Sequence, residues 1–124
     1  MSEQPEILRV LVVDDERVIA DTLALILNLR GFKTTAAYSG EAAVEAAIAL
    51  KPHVLISDVA MGTMTGIEAA SQIRRSVPSC RVILFSGQAA TVDMIPDWAD
   101  RHRFEILMKP VHPEVFLQRL SQPA

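Results

Sequence analysis

Residues 7–15 read ILRVLVVDD, an almost unbroken aliphatic run that stops at two adjacent aspartates. A strand with one wet face alternates apolar and polar residues, so an unbroken run belongs to a strand covered on both faces, as in a parallel sheet. The same kind of run returns as HVLISD at 53–58, RVILFSG at 81–87 and FEILMKP at 104–110. FKTTAAY, at 32–38, alternates and is rich in threonine, the pattern of a half-exposed strand nearer an edge.

Helical patterns fill the spaces between these runs. Glu16 to Arg30 predicts a helix with Arg17, Asp21, Ala24 and Asn28 on one exposed stripe and Val18, Thr22, Leu25 and Leu29 on another face, ended by Gly31 as its C′ residue. Ser39 is the expected N-cap of a helix from Glu41 to Leu50, with Val44 and Ile48 inward, Glu41 and Glu45 outward, and Lys51-Pro52 as its stop. A third helix is predicted from about Ile67 to Val77, ended by Pro78, and a last one from Pro113, a good first-turn residue, to about Leu120. Between Gln88 and Arg103, Pro96 would cost a helix interior roughly 3 kcal/mol, so a helix there should begin at or just before it, be kinked, or give way to irregular chain. Strands alternating with helices imply right-handed crossovers and helices on both faces of a parallel sheet. Five such βα units point to an open doubly wound α/β sheet, since a barrel needs eight.

The 124 residues suit one compact domain, and no linker, repeat or low-complexity tract divides them. A composition half hydrophobic is too apolar for disorder, and no run is long enough to cross a bilayer. A net charge of −3 without a basic stripe argues against nucleic acid as a direct partner. The N-terminus lacks the features of a secretory signal and Cys80 has no partner for a disulfide, which together make the cytoplasm the expected location. His53, His102 and His112 share no ligand spacing and read as solvated or capping histidines; Cys80 reads as a small buried hydrophobe.

In open parallel sheets the ligand lies beyond the carboxyl ends of the strands, at the point where strand order reverses. The residues predicted there are Asp14 and Asp15 after the first strand, Asp58 after the third, Ser86 after the fourth and Lys109 after the fifth. Several carboxylates at one spot suit a hard divalent cation such as Mg²⁺. An aspartate can also act as a nucleophile towards phosphorus, a reaction that depends on positioning and charge neutralisation, for which a lysine ammonium, a cation and a hydroxyl are the right groups.

At these residues the chain resembles the receiver domains of bacterial two-component response regulators, whose simplest members are single-domain chemotaxis regulators. The matching pieces are VLVVDDE at 10–16, LISDVAMGTMTG at 55–66, ILFSG at 83–87 and LMKP at 107–110, which together cover the chain nearly end to end in the family's order. The resemblance implies a flavodoxin-like sheet of order 2-1-3-4-5 and a single receiver domain over residues 1–124, with no effector domain. It implies a signalling domain rather than an enzyme, catalysing only its own phosphorylation and dephosphorylation. Asp58 would accept a phosphoryl group from a phosphohistidine of a sensor histidine kinase or phosphotransfer domain. Asp15 would bind Mg²⁺ directly and Asp14 through water, with Asp58 and the Ala60 backbone carbonyl completing the set. Ser86 and Lys109 would engage the attached phosphoryl group, and the Lys109-Pro110 peptide would be cis. An unidentified downstream protein would read the result on the face formed by the fourth helical segment, the fifth strand and the last helix.

The chain departs from the family's pattern at three places. The switch aromatic expected three residues before Lys109 is replaced by Ile106, with Phe104 two residues earlier on the same pleat face. Gly62 stands where proline is common, which predicts a freer loop after Asp58. The third is Pro96. Ile106 and Pro96 motivate an alternative, a receiver-like binding module that signals without phosphorylation. A phosphatase of the haloacid dehalogenase type fits less well, because that family needs two aspartates one residue apart after the first strand, where this chain has Asp14, Asp15 and Glu16.

Overall fold

The computed structural model describes residues 7–87 and 104–122. In chain order the elements are β1 (Arg9–Val13), α1 (Arg17–Leu29), β2 (Lys33–Ala37), α2 (Gly40–Leu50), β3 (Val54–Asp58), α3 (Gly66–Ser76), β4 (Arg81–Ser86), β5 (Phe104–Met108) and α4 (Pro113–Leu120). All four strand pairings are parallel and the order is β2-β1-β3-β4-β5, as the resemblance implied. The segment from Gln88 to Arg103, in which Pro96 is expected to start, kink or replace a helix, lies outside the described residues, and so does His102.

Strand pleating divides the core into two layers. Leu11, Val13, Leu55, Val82 and Leu84 pack against Ala43 and Ala47 of α2 and Ala70 and Ile73 of α3. On the opposite face Val10, Val12, Ile56, Ile83 and Phe85 pack against Leu23 and Leu27 of α1 and Phe116 and Leu117 of α4. β1, β3 and β4 are therefore covered on both sides, which is why they read as continuous apolar runs. β2 alternates because it is an edge strand, and its exposed positions carry Lys33 and Thr35.

Local chemistry sets the helix ends. Gly31 takes a left-handed φ of 98° just after α1, Ser39 Oγ accepts from Ala42 N, and Thr65 and Glu68 form a reciprocal capping box on α3. Pro113 opens α4, and His112 Nδ1 accepts from Glu114 N, so this histidine is the cap its position suggested. Cys80 is buried among apolar residues, again as expected. β1 begins at Arg9 rather than Ile7, which is exposed.

Three inward and outward assignments are corrected, the first being Val18, Thr22, Leu25 and Leu29, which the sequence pattern sets apart from the exposed stripe of α1 and which are themselves exposed. Ala24 lies on the buried face of α1, not its exposed stripe, and Ile48 is 59% exposed while Ala43 and Ala47 of α2 face the sheet. α1 buries Ala20, Leu23, Ala24 and Leu27, and α2 buries Gly40, Ala43 and Ala47, which leaves Ile48 on the outer side of its helix. Ile48→Ser should therefore change unfolding free energy by no more than about 0.5 kcal/mol. Leu84→Ala, which empties a fully buried site, should cost about 2–5 kcal/mol in urea unfolding.

Candidate functional site

The sheet ladder runs on beyond the strands at the edge where the predicted residues gather. Asp14 N donates to Ala37 O at 3.2 Å, Val59 N to Phe85 O at 3.1 Å and Lys109 N to Ser86 O at 2.9 Å. These backbone bonds fix the residues that follow β1, β3 and β5 relative to their neighbours. β2 contributes no side chain of comparable chemistry, yet its last carbonyl pins the peptide of Asp14.

Asp14, Asp15 and Asp58 converge as the sequence suggested, each offering a carboxylate oxygen within 4.8 Å of the others. β1 and β3 are neighbours on opposite sides of the reversal in strand order, so the cluster sits at the switch point. Asp14 is fully buried; its Oδ1 accepts from Glu16 N at 2.9 Å and its Oδ2 has no hydrogen-bond partner. Asp58 is also buried, with Oδ2 bonded to Lys109 Nζ at 3.2 Å and Oδ1 without a hydrogen bond. Asp15 remains exposed. Two orphaned carboxylate oxygens in a buried acidic cluster, with an open carboxylate beside them, are a donor set suited to a hard cation.

Lys109 follows β5 through a cis peptide to Pro110, as expected. Its ammonium lies 5.4 Å from the centroid of Phe85, a contact the sequence reading did not foresee. Phe85 packs edge-on against Phe116 of α4 with centroids 5.7 Å apart, so the apolar floor under the lysine is itself fixed. Alternation along β4 could have revealed it, since the residue before Ser86 must face the α1 and α4 side. Ser86 is buried at the end of β4, paired in register with Met108.

Gly66, the first residue of α3, is a second feature visible only in three dimensions. A Cβ there would fall 2.0 Å from Asp58 O and 2.9 Å from Ser57 Oγ. Ser57, fully buried, donates its hydroxyl to that same Asp58 carbonyl at 2.9 Å. The Asp58 peptide is thus closed in by the start of α3 and by the hydroxyl of its neighbour.

Electrostatics follow from burial. Loss of water raises the Asp14 carboxyl to about 6; the Glu16 amide opposes this, Asp58 adds to it, Lys109 opposes it and Asp15 adds to it. Burial likewise raises Asp58, against the pull of Lys109 and, more weakly, the Ala60 amide, with Asp15 adding a small upward push. Because folded Asp14 holds its proton up to about pH 6 and an unfolded aspartate only to about pH 4, its contribution to stability falls as pH rises through that window and stays low above it. Asn at this position keeps the Oδ1 acceptor and removes the charge. Metal-free Asp14→Asn should be more stable than wild type by about 1–3 kcal/mol at pH 7.5 and within about 0.5 kcal/mol of it near pH 4, measured by urea unfolding in a chelator.

Known proteins resemble this chain in sequence and in fold. A family model described as the response regulator receiver domain matches residues 10–121. The probable transcriptional regulatory protein TcrX of Mycobacterium tuberculosis is 35% identical over 86 residues, 69% of this chain and 37% of that protein. The structure of Vibrio cholerae chemotaxis protein CheY4 superposes with a TM-score of 0.82 at 25% identity, covering 94% of this chain and 98% of that one. Thermotoga maritima response regulator TrrA, solved in complex with Mg²⁺-BeF, superposes with a TM-score of 0.78 at 26% identity, covering 93% and 97% respectively. The chain spans half or less of the length of the curated relatives it matches, 37% and 49% in the first two. Among the described residues no helix is long and apolar enough to cross a membrane. With an acidic cluster at the switch point of a 2-1-3-4-5 sheet and a family match across nearly its whole length, the chain belongs to the response regulator receiver domains of two-component signalling.

Proposed function

We propose that Asp58 is the phosphoacceptor of this receiver domain, taking a phosphoryl group from the phosphohistidine of a sensor histidine kinase or phosphotransfer domain. The observation that carries this reading is the 3.2 Å contact of Lys109 Nζ with Asp58 Oδ2 beside the two further carboxylates. Lys109 opposes the rise that burial imposes on the Asp58 carboxyl and so favours the anionic form, which is the form that can attack phosphorus. In the transfer an Asp58 oxygen forms the new P–O bond, the P–N bond to histidine breaks, and the imidazole leaves with the electron pair. Lys109 neutralises charge on the phosphoryl oxygens as Asp58 passes from a salt-bridged carboxylate to an acyl phosphate, and the Ser86 hydroxyl offers one of them a hydrogen bond. Asp14, Asp15, Asp58 and the Ala60 carbonyl would hold Mg²⁺, which supplies charge neutralisation between the carboxylates and the phosphoryl oxygens when bound. The chain acts as its own phosphorylation catalyst and otherwise signals by protein contact.

A second reading keeps the pocket and dispenses with phosphorylation-dependent output. It is favoured by β5, where Ile106 occupies the switch position and packs on the core beside Phe104. Phe104 is buried with the Arg74 guanidinium 5.4 Å from its ring centroid, so it is held in place rather than free to swing.

Incubation with Mg²⁺ and acetyl phosphate, read by intact mass and peptide mapping, should add one phosphoryl group at Asp58. Asp58→Asn should abolish it, Lys109→Ala should slow it by at least about tenfold, corresponding to about 1.4 kcal/mol of barrier, and a chelator should stop it. Absence of modification in the wild type would overturn the phosphoacceptor reading. If the wild type is modified but binds its downstream protein no differently from Asp58→Asn, the second reading stands.

A further inference from the structure

The loop between Asp58 and α3 carries glycine at position 62, where a Cβ would meet nothing within 4 Å. Residue 62 therefore neither fixes the loop's dihedrals nor packs it down. The restraints lie on either side of it. Met61 is buried in the core, and the capping box of Thr65 ties the far end of the loop to α3. Between these anchors the loop touches the first turn of α2 twice. Thr63 Oγ1 donates to Glu41 Oε2 at 2.6 Å, a bond that also holds the Glu41 carboxyl below its ordinary value. Met64 lies against Gly40 so closely that a Cβ there would stand 2.8 Å from Met64 Cγ, 2.9 Å from Cβ and 3.0 Å from Sδ. Since Met64 Cβ is among those atoms, rotating the thioether end cannot relieve the clash, and the loop backbone itself would have to move.

We infer that the first turn of α2 is the positioning element for the acceptor loop, with Gly40 and Glu41 acting through Met64 and Thr63 to hold residues 60–65 and hence the Ala60 carbonyl. The inference rests on the reading of this pocket as a Mg²⁺-dependent phosphoacceptor and adds residues from outside it. Glu41 and Gly40 touch no reacting atom. They stand in for the rigidity that a proline at 62 would supply.

Hydrogen exchange in the metal-free full chain tests the restraint without any phosphoryl chemistry. Thr63→Val and Glu41→Ala should speed amide exchange across 60–65 by about tenfold while leaving β3 and α3 protected, and Glu41→Gln, whose amide oxygen still accepts, should stay near wild type. Mg²⁺ affinity, measured by calorimetry, should fall about tenfold in the same two variants and in Gly40→Ala, in the range expected when the support of a metal ligand is lost. Gly62→Pro added to Thr63→Val should restore both. Unchanged loop exchange in Thr63→Val and Gly40→Ala would overturn the inference, as would faster exchange with unchanged Mg²⁺ affinity or failure of Gly62→Pro to rescue. Wild type that binds no Mg²⁺ would instead sink the phosphoacceptor reading, and the exchange comparison would still decide whether α2 restrains the loop.

Discussion

Asp14, Asp15 and Asp58 bring carboxylate oxygens within 4.8 Å of one another, two of the three residues being buried. Like charges at that separation repel more strongly as water is removed, and each buried carboxylate also loses its own hydration. Lys109 answers only part of this, because its contact is with a single oxygen of Asp58 and leaves Asp14 Oδ2 and Asp58 Oδ1 unsatisfied. The site is consequently poised for added positive charge. A cation that binds the folded pocket and not the unfolded chain would stabilise the fold by mass action, so occupancy and stability are linked.

The sheet makes the repulsive arrangement possible. Parallel pairing of β1 with β3 forces their carboxyl ends to the same edge, and the backbone bonds from Asp14, Val59 and Lys109 extend the register past the last strand residues. Layers of fully buried Val, Leu and Ile on both faces hold that register, since a slip of one residue would turn apolar side chains towards the wrong face. Tyr38, just after β2, bonds Asp21 of α1 at 2.6 Å beneath the Arg17 guanidinium, while Arg30, the C-cap of α1, meets Glu114 of α4. Exposed polar contacts of this kind add little stability, and the apolar layers carry the geometry.

What the sequence disclosed follows from this division. Asp14, Asp15, Asp58, Ser86 and Lys109 were legible because a parallel sheet collects strand ends whatever the intervening chain does, so recognising the strands was sufficient. Contacts that depend on how closely an element approaches were not legible. Periodicity could not show that alanines of α1 and α2 face the sheet while Ile48 faces water, because in an alanine-rich helix apolar residues lie on every side. Gly40 reads as an ordinary helix start until Met64 is seen occupying the place of its missing side chain. Phe85 reads as core until the ammonium of Lys109 is found over its ring.

The same closeness bears on how a change at Asp58 could travel. β5 is held from both faces: Phe104 packs beneath Arg74 of α3, while Glu105, on the opposite pleat, accepts from Arg81 of β4 and Arg119 of α4. Arg81 also donates to the Arg119 and Gln122 carbonyls, closing a network over the end of α4. Rotating a β5 side chain out of this setting would expose buried apolar surface or strand partly buried charge, each costly. On the α2 side, the loop after Asp58 is held by the Thr63–Glu41 bond and by Met64 packed on Gly40, above Met61 buried in the same apolar layer as Ala43 and Ala47. The exposed hydrogen bond fixes the direction of the loop, and the fit of Met64 Cβ on Gly40 leaves the loop little room to shift without moving the start of α2.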